Sequence, residues 1–523
     1  MPETRWQRAR RRIAQWFAGE PIMFADGRLA RQSRRSYDSA GQGYREAGWV
    51  TRSTDANVEV SGGLIKTRDR CRDLERNNAW GWSAAEKLVG NLIATGIRPA
   101  LDLGNDEVER RALDLWEAWG QVCCPSSPLG IYGLQSLLAR SFFVAGEALL
   151  RRRPRPLNDL GRGIPPLLIQ ALEGDFLPLD KYDGGQGRNT VFQGVEFDAQ
   201  DRRVAYHLHS SHPGATSLTA RVTTPWQTVR IEAMDLIHLY QERRPGQVRG
   251  MPWLAQVVSA LWDLHGYADS ERYRAKCASS IMGWVEGGDI DAGYPTGSGD
   301  GIAPAADESG ALVSDGRGNS VEQFLPGFIA YLPAGKKITF NQPGTADGYP
   351  EYVRAALHEI SAGTGLSYEV LTGDLSQVNF SSIKLGLIEQ HRLIRALRQQ
   401  VFIPFVCAPL WRWFLDSAQT AGLLPDVPEL AAVSWSEPEI ESADREADVK
   451  ADLLEMRIGK KSRPEIIRAS GRDPDAVDSE IAKDKRKREE LGIVSDGDAS
   501  QTTLSGALQA PLVAAAKSVT GAP

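Results

Sequence analysis

Long apolar runs, paired cysteines and nucleotide-binding loops are all missing from this 523-residue chain. The best apolar run, 401–411, is shorter than the roughly 18 residues of a membrane span and contains two prolines, so we expect a buried segment there. The five cysteines are scattered without a CxxC pair, which predicts reduced thiols rather than a disulfide framework. Neither GxxxxGK[ST] nor GxSxG occurs, so the sequence indicates neither a Walker loop for ATP nor the common hydrolase nucleophile.

The chain also lacks an excess of basic residues, since 61 Lys and Arg face 67 Asp and Glu and the net charge is −6 at pH 7. Tight binding to nucleic acid of any sequence needs a basic surface that displaces counterions, so a general nucleic-acid binder is disfavoured. The N-terminal residues 1–35 are the exception, with nine Arg, no Lys and three acidic residues. This pattern is typical of a solvated, flexible arm, and the alternative is an electrostatic tether to an acidic partner or DNA.

The length predicts two to four domains, and the residue patterns predict an α+β fold. Residues 36–63 are predicted as loop, and a helix is expected from about Leu64 to Ile93 with Thr67 as a candidate cap. Further helices are predicted over 105–120, 131–145, 253–283, 350–362 and 383–418. Short strands are predicted over 147–151, 166–172, 194–198, 203–209 and 235–240, with a hairpin joining the third and fourth.

The remaining segments are predicted to be less regular. Residues 287–320, rich in Gly, Asp and Ser, indicate a long flexible loop, followed by a strand pair over 327–332 and 337–340. The segment 436–490 holds 16 acidic and 13 basic residues with few apolar positions, which predicts short surface helices. The Ala-rich tail after 491 is predicted to be disordered.

Three histidines form the best metal-like pattern. His207 and His209 share one face of a predicted strand, as two zinc ligands do, and His212 follows in a turn. No Cys or carboxylate motif accompanies them, so exposed histidines at a strand end are the preferred interpretation. A metal-dependent hydrolase using these three residues stays as an alternative, while the primary prediction contains no metal, cofactor or catalytic residue.

The segment 360–389 is rich in Gly, Asp, Asn and Ser and lies between two helical patterns. It contains GLSYEVLTGDLSQVNFSS over 365–382. This run resembles the signature of the portal proteins of lambda-like tailed bacteriophages, with Phe380 in place of the usual Tyr and Lys384 in place of the usual Arg. Other segments resemble the family in the same order: 76–78, 89–91, 146–148, 173–175, 194–198 with 205–207, 244–253, 326–327 with 332–335, and 471–474.

The resemblance implies a structural protein rather than an enzyme. Portal proteins of this family form a ring, usually of twelve subunits, at one capsid vertex of the virion. Double-stranded DNA passes through the channel, driven by the terminase large subunit. The implied partners also include the major capsid and scaffolding proteins and the head–tail connector or adaptor, with no membrane, and assembly takes place in the host bacterial cytoplasm. A minor capsid or connector protein without a DNA channel is a further alternative.

The resemblance also implies a division of the chain into portal regions. The polar residues Asp374, Gln377 and Asn379, with Lys384 nearby, are expected to make weak, reversible contacts with DNA in the channel. The implied regions are a basic arm (1–35), a wing (36–250), a stem helix (251–283), a flexible insert with the clip (284–345), a second stem helix (346–370), a tunnel loop (371–382), a long helix returning to the wing (383–435), a crown (436–490) and a disordered tail (491–523).

Overall fold

The computed structural model describes residues 53–491, preceded by the paired short strands β1 (Ile22–Met23) and β2 (Leu29–Ala30). The chain divides into two units, Met1–Asp55, which contains β1 and β2, and Ala56–Pro523, which contains every other element given below. The internal ranges outside the description are 102–104, 125–126, 185–188, 216–226, 281–283, 287–302, 305–321, 324–336, 340–347, 377–379, 427–429, 431, 439–444, 470–471 and 473.

Helices dominate the second unit. The α-helices of the described chain are α1 (Ala56–Asn77), α2 (Ala79–Ile93), α3 (Asp106–Val122), α4 (Ile131–Ala145), α5 (Val258–Ser280), α6 (Tyr349–Thr364), α7 (Tyr368–Thr372), α8 (Phe380–Leu397), α9 (Ala408–Thr420), α10 (Arg445–Arg457), α11 (Arg463–Ala469) and α12 (Pro474–Leu491). Among these helices, none combines the length and the apolar character that a membrane span requires.

The strands of the second unit form small antiparallel sheets. They are β3 (Arg98–Ala100), β4 (Glu147–Pro154), β5 (Leu167–Glu173), β6 (Thr190–Phe192), β7 (Val195–Phe197), β8 (Arg203–His209), β9 (Thr228–Glu232), β10 (Leu236–Tyr240), β11 (Trp284–Glu286), β12 (Ala303–Pro304), β13 (Glu322–Gln323), β14 (Lys337–Thr339) and β15 (Ser434–Ser436). The larger sheets have the orders β10-β4-β5 and β6-β7-β8-β9, so the predicted hairpin is confirmed as β7–β8.

The larger apolar core joins distant parts of the chain. One face of β4, β5 and β10 packs with α2, α3 and α4 and with the later segment 394–430. The rings of Trp116, Trp119, Trp411 and Phe414 form its centre, with centroids 5.2 to 5.4 Å apart. All four of these residues are buried, at 0% or 1% exposure, and the predicted α+β fold class is confirmed.

The first helix begins earlier than predicted. Residues 56–63, predicted as loop, form the first turns of α1, and Thr67 lies inside the helix rather than capping it. Tertiary contacts outweigh the two glycines there, because the buried Asn57 accepts a 2.8 Å hydrogen bond from the Val248 amide and donates one to the Gly246 carbonyl. The predicted single helix to Ile93 is broken at Asn78, whose side chain caps α2 by accepting from the amides of residues 80 and 81.

The helix predicted over 383–418 needed correction. The segment 383–418 is α8 and α9 joined by a ten-residue π-helix, Arg398–Cys407. Pro404 lies inside this π-helix, and its missing amide hydrogen cannot complete a regular α-helical ladder. The strand β14, which lies within the predicted strand 337–340, pairs with β11, and the predicted strand 327–332 lies outside the described residues.

The C-terminal segment 436–490 contains three helices, α10, α11 and α12, and the prediction of short surface helices is confirmed there. Immediately before them, β15 pairs with β3 in a two-stranded sheet that the sequence did not predict. The four cysteines whose side chains the structure describes are buried free thiols, in agreement with the expected reduced state. The predicted arm, most of the predicted insert and the predicted tail lie outside the described residues, apart from the short strands β1, β2 and β11 to β14.

Candidate functional site

Distant segments of the chain meet at one fully buried carboxylate, that of Glu147 at the start of β4. Arg68 reaches it from α1, and Arg249 reaches it from the segment that follows β10. Both arginines are also buried, with 1% and 0% exposure. Charged side chains are seldom buried at this level unless they are paired, so this ion cluster is a built feature of the fold.

The geometry of the cluster is close and bidentate. Arg249 donates from Nε to Glu147 Oε2 at 3.0 Å and from Nη2 to Oε1 at 2.5 Å, while Arg68 Nη2 donates to Oε1 at 2.6 Å. His238 Nε2 lies 3.0 Å from Oε2. Burial raises the pKa of Glu147, but Arg249, His238 and Arg68 lower it more, so the pKa lies well below its usual range and the carboxylate is ionised.

The remaining guanidinium hydrogens tie the cluster to the backbone. Arg68 Nε donates to the Ala145 carbonyl at 3.1 Å. Arg249 donates to the Gly174 carbonyl at 3.1 Å and to the Gln193 carbonyl at 3.3 Å. One ion cluster therefore holds α1, the turn before β4, the turn after β5 and the turn between β6 and β7 in fixed relative positions.

Glycine is required where these segments approach one another. A Cβ on Gly250 would lie 2.2 Å from the Gly146 carbonyl oxygen, and a Cβ on Gly174 would lie 2.4 Å from Cγ of Glu147. Gly146 also adopts a φ of 88°, which disfavours any side chain. The motifs 146–148, 173–175 and 244–253 thus form one packed unit, and their Gly and charged residues have a common structural cause.

The buried His238 is neutral in the folded protein. Its Nδ1 faces Arg203 Nη1 at 3.4 Å, so this ring nitrogen accepts and Nε2 carries the hydrogen donated to Glu147. Burial lowers the pKa of His238 to about 4, and Arg203 and Arg249 act in the same direction against the opposing effect of Glu147. Tyr206 and Tyr240 pack against the imidazole and complete its surroundings.

We expect the folded state to lose stability between about pH 6.5 and pH 4 because of His238. Over this window an unfolded histidine binds a proton that the folded His238 excludes, which predicts a loss of up to about 1.4 kcal/mol per pH unit. Urea denaturation from pH 7.5 to 4.5 measures the slope, and the variant His238→Gln should show a shallower one. Equal slopes for the wild type and the variant would contradict the neutral state assigned to the folded His238. The depressed pKa of Glu147 changes the stability mainly below about pH 4.3 and does not account for the slope above it.

The signature segment 365–382 starts from a rigid helical frame. Gly365, with a φ of 76°, ends α6, and the Ser367 side chain caps α7 by accepting from the Val370 amide. The Ser367 amide donates to Gln390 Oε1 of α8 at 3.0 Å. Trp253 Nε1 also donates to the last carbonyl of α6, at 2.8 Å. Contacts on both sides therefore hold the helices from which the loop after α7 departs.

The predicted DNA-contact residues divide between the two sides of that loop. Asp374 follows the αL glycine at 373, and its carboxylate accepts from the Ser376 amide at 3.0 Å. Hydrogen bonds from the side chain and from the amide of Ser376 lower the pKa of Asp374. Lys384 is exposed on the first turns of α8. Gln377 and Asn379 lie outside the described residues.

The structure does not bring the three histidines together as one ligand set. His207 Nε2 lies 3.1 Å from a Glu196 carboxylate that also accepts from Arg230 at 2.7 Å. His212 instead lies 3.4 Å from Glu173. Burial lowers the pKa of His209, with His212 acting in the same direction. The geometry therefore gives no support to the hydrolase alternative based on these residues.

Among the described residues, the metal-like grouping is Glu173, Asp175 and His212, whose ligand atoms lie within 4.8 Å of one another. Two guanidinium groups already occupy its carboxylates. Arg72 Nη2 donates to both Glu173 and Asp175 at 2.6 Å, and Arg68 Nη1 lies 3.3 Å from Asp175. The arrangement is a salt-bridge network at the edge of the Glu147 cluster.

Comparison with known protein families identifies the family of this chain. The family model described as "Phage portal protein, lambda family" matches residues 42–398, which is more than half of the chain. The chain belongs to the lambda family of phage portal proteins. The resemblance found in the sequence motifs is therefore confirmed, and the matched range contains both the Glu147 cluster and the loop after α7.

The individual portal proteins and neck structures that the chain matches have low sequence identity to it. A "Probable portal protein" from Halomonas phage phiHAP-1 is 27% identical over 333 residues, which cover 62% of this chain and 61% of the relative. The neck of an empty gene transfer agent particle has 17% identity and a TM-score of 0.44, covering 79% of this chain and 95% of that one. An HK97 family phage portal protein from Corynebacterium diphtheriae has 11% identity and a TM-score of 0.27, covering 62% and 84%.

Sequence reasoning on this portal protein missed the partners of Glu147. The motifs that contain Glu147 and Arg249 indicated only a family resemblance, and no sequence pattern pointed to Arg68. A carboxylate directly before the apolar residues Ala-Leu-Leu was the available signal, because an ionised group in such a context needs a buried partner. Arg398 was missed as well; it is buried and donates to the Leu92 carbonyl at 2.7 Å.

Proposed function

We propose that copies of this chain assemble, twelve to a ring, into the portal at one capsid vertex. Genomic DNA passes through the ring during packaging and again during ejection. The observation that carries this proposal is the family match over 42–398, whose range includes the signature segment. Among the described residues that follow α7, Gly373, Leu375 and Ser376 are exposed, which is compatible with a loop that enters a channel.

The electrostatics favour passage of DNA over its retention. Asp374 and Lys384 present opposite charges on the two sides of the loop, and the whole chain is acidic. A groove of many Lys and Arg would bind phosphates strongly and release counterions, which favours retention. Weak contacts from mixed charges allow the duplex to move, so Gln377 and Asn379 are proposed to join Asp374 and Lys384 as DNA-facing residues.

The proposal includes partners that supply what this chain does not. The absence of a Walker loop from the sequence agrees with a separate terminase large subunit as the motor. We propose contacts with the major capsid and scaffolding proteins, where the ring nucleates procapsids, and with a head–tail connector at the virion neck. Assembly is proposed to occur in the host bacterial cytoplasm.

The division of the chain is part of the same proposal. The described core, which combines β4, β5 and β10 with residues 394–430, supports a wing to which the chain returns after α8. The helices α5 and α6 pack against each other through Tyr267, Tyr349 and Tyr352, as expected of paired stem helices. The clip within 284–345 and the crown within 436–490 stay predictions.

The mass of the purified protein tests ring formation. Twelve copies of the 57.3 kDa chain correspond to about 690 kDa, and light scattering with and without scaffolding and capsid proteins should show a particle of that size. Partners are included because a ring that needs them to assemble would otherwise be recorded as a monomer. A closed dimer or tetramer under both conditions would contradict the proposal.

A further inference from the structure

A basic groove lies at the end of β4, away from the Glu147 cluster. Four of the five residues 151–155 are arginine, and all five line a groove of about 600 Å³. The strand β5 and the strand β9 of the neighbouring sheet supply its apolar part, through Leu168, Ile169 and Ile231. The groove therefore combines guanidinium groups with an aliphatic floor.

The groove also lies beside an open strand edge. The strand β10 begins at Leu236, opposite Arg151, so it does not reach the end of β4. The strand β5 begins at Leu167, opposite Pro154, and pairs with β4 to its end. Within the described residues, the last three residues of β4 therefore have a paired strand on one side only. Such an edge accepts an additional extended segment through main-chain hydrogen bonds.

The arginines of the groove are incompletely neutralised. Its lining carries four guanidinium groups and one carboxylate, that of Asp235, and two carboxylates beside it pair with Arg152 and Arg155. Among the described residues, Arg151 and Arg153 therefore have no carboxylate within ion-pair distance. Arg151 makes no side-chain hydrogen bond or ion pair within the described part of the chain. Burial lowers the pKa of Arg151, and the Arg153 guanidinium acts in the same direction. The charged form of Arg151 is therefore less favourable in the groove than in water.

The other three arginines of the groove each contact a neighbouring side chain. Arg152 pairs with Asp416, while its buried Nε has no hydrogen-bond partner. Arg153 donates to Gln170 Oε1 at 3.0 Å, a neutral acceptor that positions the guanidinium without cancelling its charge. Arg155 pairs with Asp159 in the adjoining turn at 2.7 Å.

We propose that this groove binds an acidic, extended polypeptide segment of a partner protein, with an aliphatic side chain between its carboxylates. The carboxylates would pair with Arg151 and Arg153, which lie on one face of β4 because side chains alternate along a strand. The aliphatic side chain would cover Leu168, which is half-buried, whereas Ile169 and Ile231 are already buried at 1% and 5% exposure. An extended peptide can also add to the open edge of β4, which a nucleic-acid backbone cannot do, so the edge favours a peptide. The proposal goes beyond the channel function and does not rest on it.

Fluorescence anisotropy with the full-length protein tests the proposal. The probe is a labelled peptide of three Asp-Glu-Leu-Glu repeats. We expect it to bind the wild type and to bind the double variant R151Q/R153Q at least tenfold more weakly. The matched control is R110Q/R111Q on α3, where two exposed arginines lie beside Glu107 and Asp114, and its affinity should equal that of the wild type. The single variant Arg151→Gln gives a second reading if the double variant unfolds.

Two further probes separate a peptide groove from a phosphate site. A peptide with Ser in place of each Leu should bind more weakly, because it cannot cover the aliphatic floor. A duplex DNA of 20 base pairs should compete poorly with the Leu-containing peptide. The proposal is overturned if the wild type fails to bind that peptide, if R151Q/R153Q binds it unchanged, or if DNA displaces it and the Ser peptide binds equally well.

Discussion

Replacing Glu147 with Gln should lower the free energy of unfolding by about 3 to 5 kcal/mol. The substitution keeps the shape of the side chain but leaves Arg68 and Arg249 buried at 1% and 0% exposure without their opposing charge. It also replaces an acceptor oxygen by an amide that donates toward groups that are themselves donors. The midpoint of urea denaturation at pH 7.5, compared with that of the wild type, measures the effect.

The matched control is Glu173→Gln. Glu173 pairs with Arg72 at 2.6 Å, but its side chain is 52% exposed, and water screens the interaction. We expect the control to lose less than about 1 kcal/mol. Equal, small losses in both variants would show that the Glu147 cluster does not hold the surrounding segments together.

Replacing residues 374–379 with a Gly-Ser linker of the same length should reduce the yield of DNA-filled particles to background, while rings still form. The helices on either side are held by contacts that the replacement leaves in place, such as the Ser367 amide to Gln390 at 3.0 Å. The linker removes Asp374, Gln377 and Asn379, which are the proposed contacts with moving DNA. Packaged DNA is counted by nuclease protection, and rings are counted by electron microscopy.

A linker of the same length at residues 158–163 provides the control. This turn between β4 and β5 is mostly exposed and lies outside the signature segment. Packaging by the control variant should match that of the wild type. If the 374–379 variant fails to form rings, the loop is an assembly element, and its proposed role in DNA passage is wrong.

Local patterns predicted the elements whose apolar residues repeat regularly. The helix predicted over 131–145 is α4 with the same bounds, because glycines flank a continuous apolar face. The predicted start of α1 was wrong because the contacts of Asn57 with Gly246 and Val248 connect residues that are far apart in the chain. Periodicity carries no information about such pairs.

The site was predictable only in part for the same reason. The signature segment identified the family, and Asp374 and Lys384 lie on the two sides of the loop after α7. The pairings of Glu147 with Arg68 and Arg249 span 79 and 102 residues, and no local pattern specifies them. The pairing of β15 with β3, more than 300 residues apart, was missed for the same physical reason.

Imaging of the assembled particle along its symmetry axis tests whether this protein forms a channel for DNA. We expect a closed ring, near twelve copies, with a central opening wide enough for duplex DNA and with residues 374–379 at its narrowest point. A particle that lacks a continuous opening would contradict the proposed DNA channel. It would instead favour a capsid or connector component that does not conduct DNA.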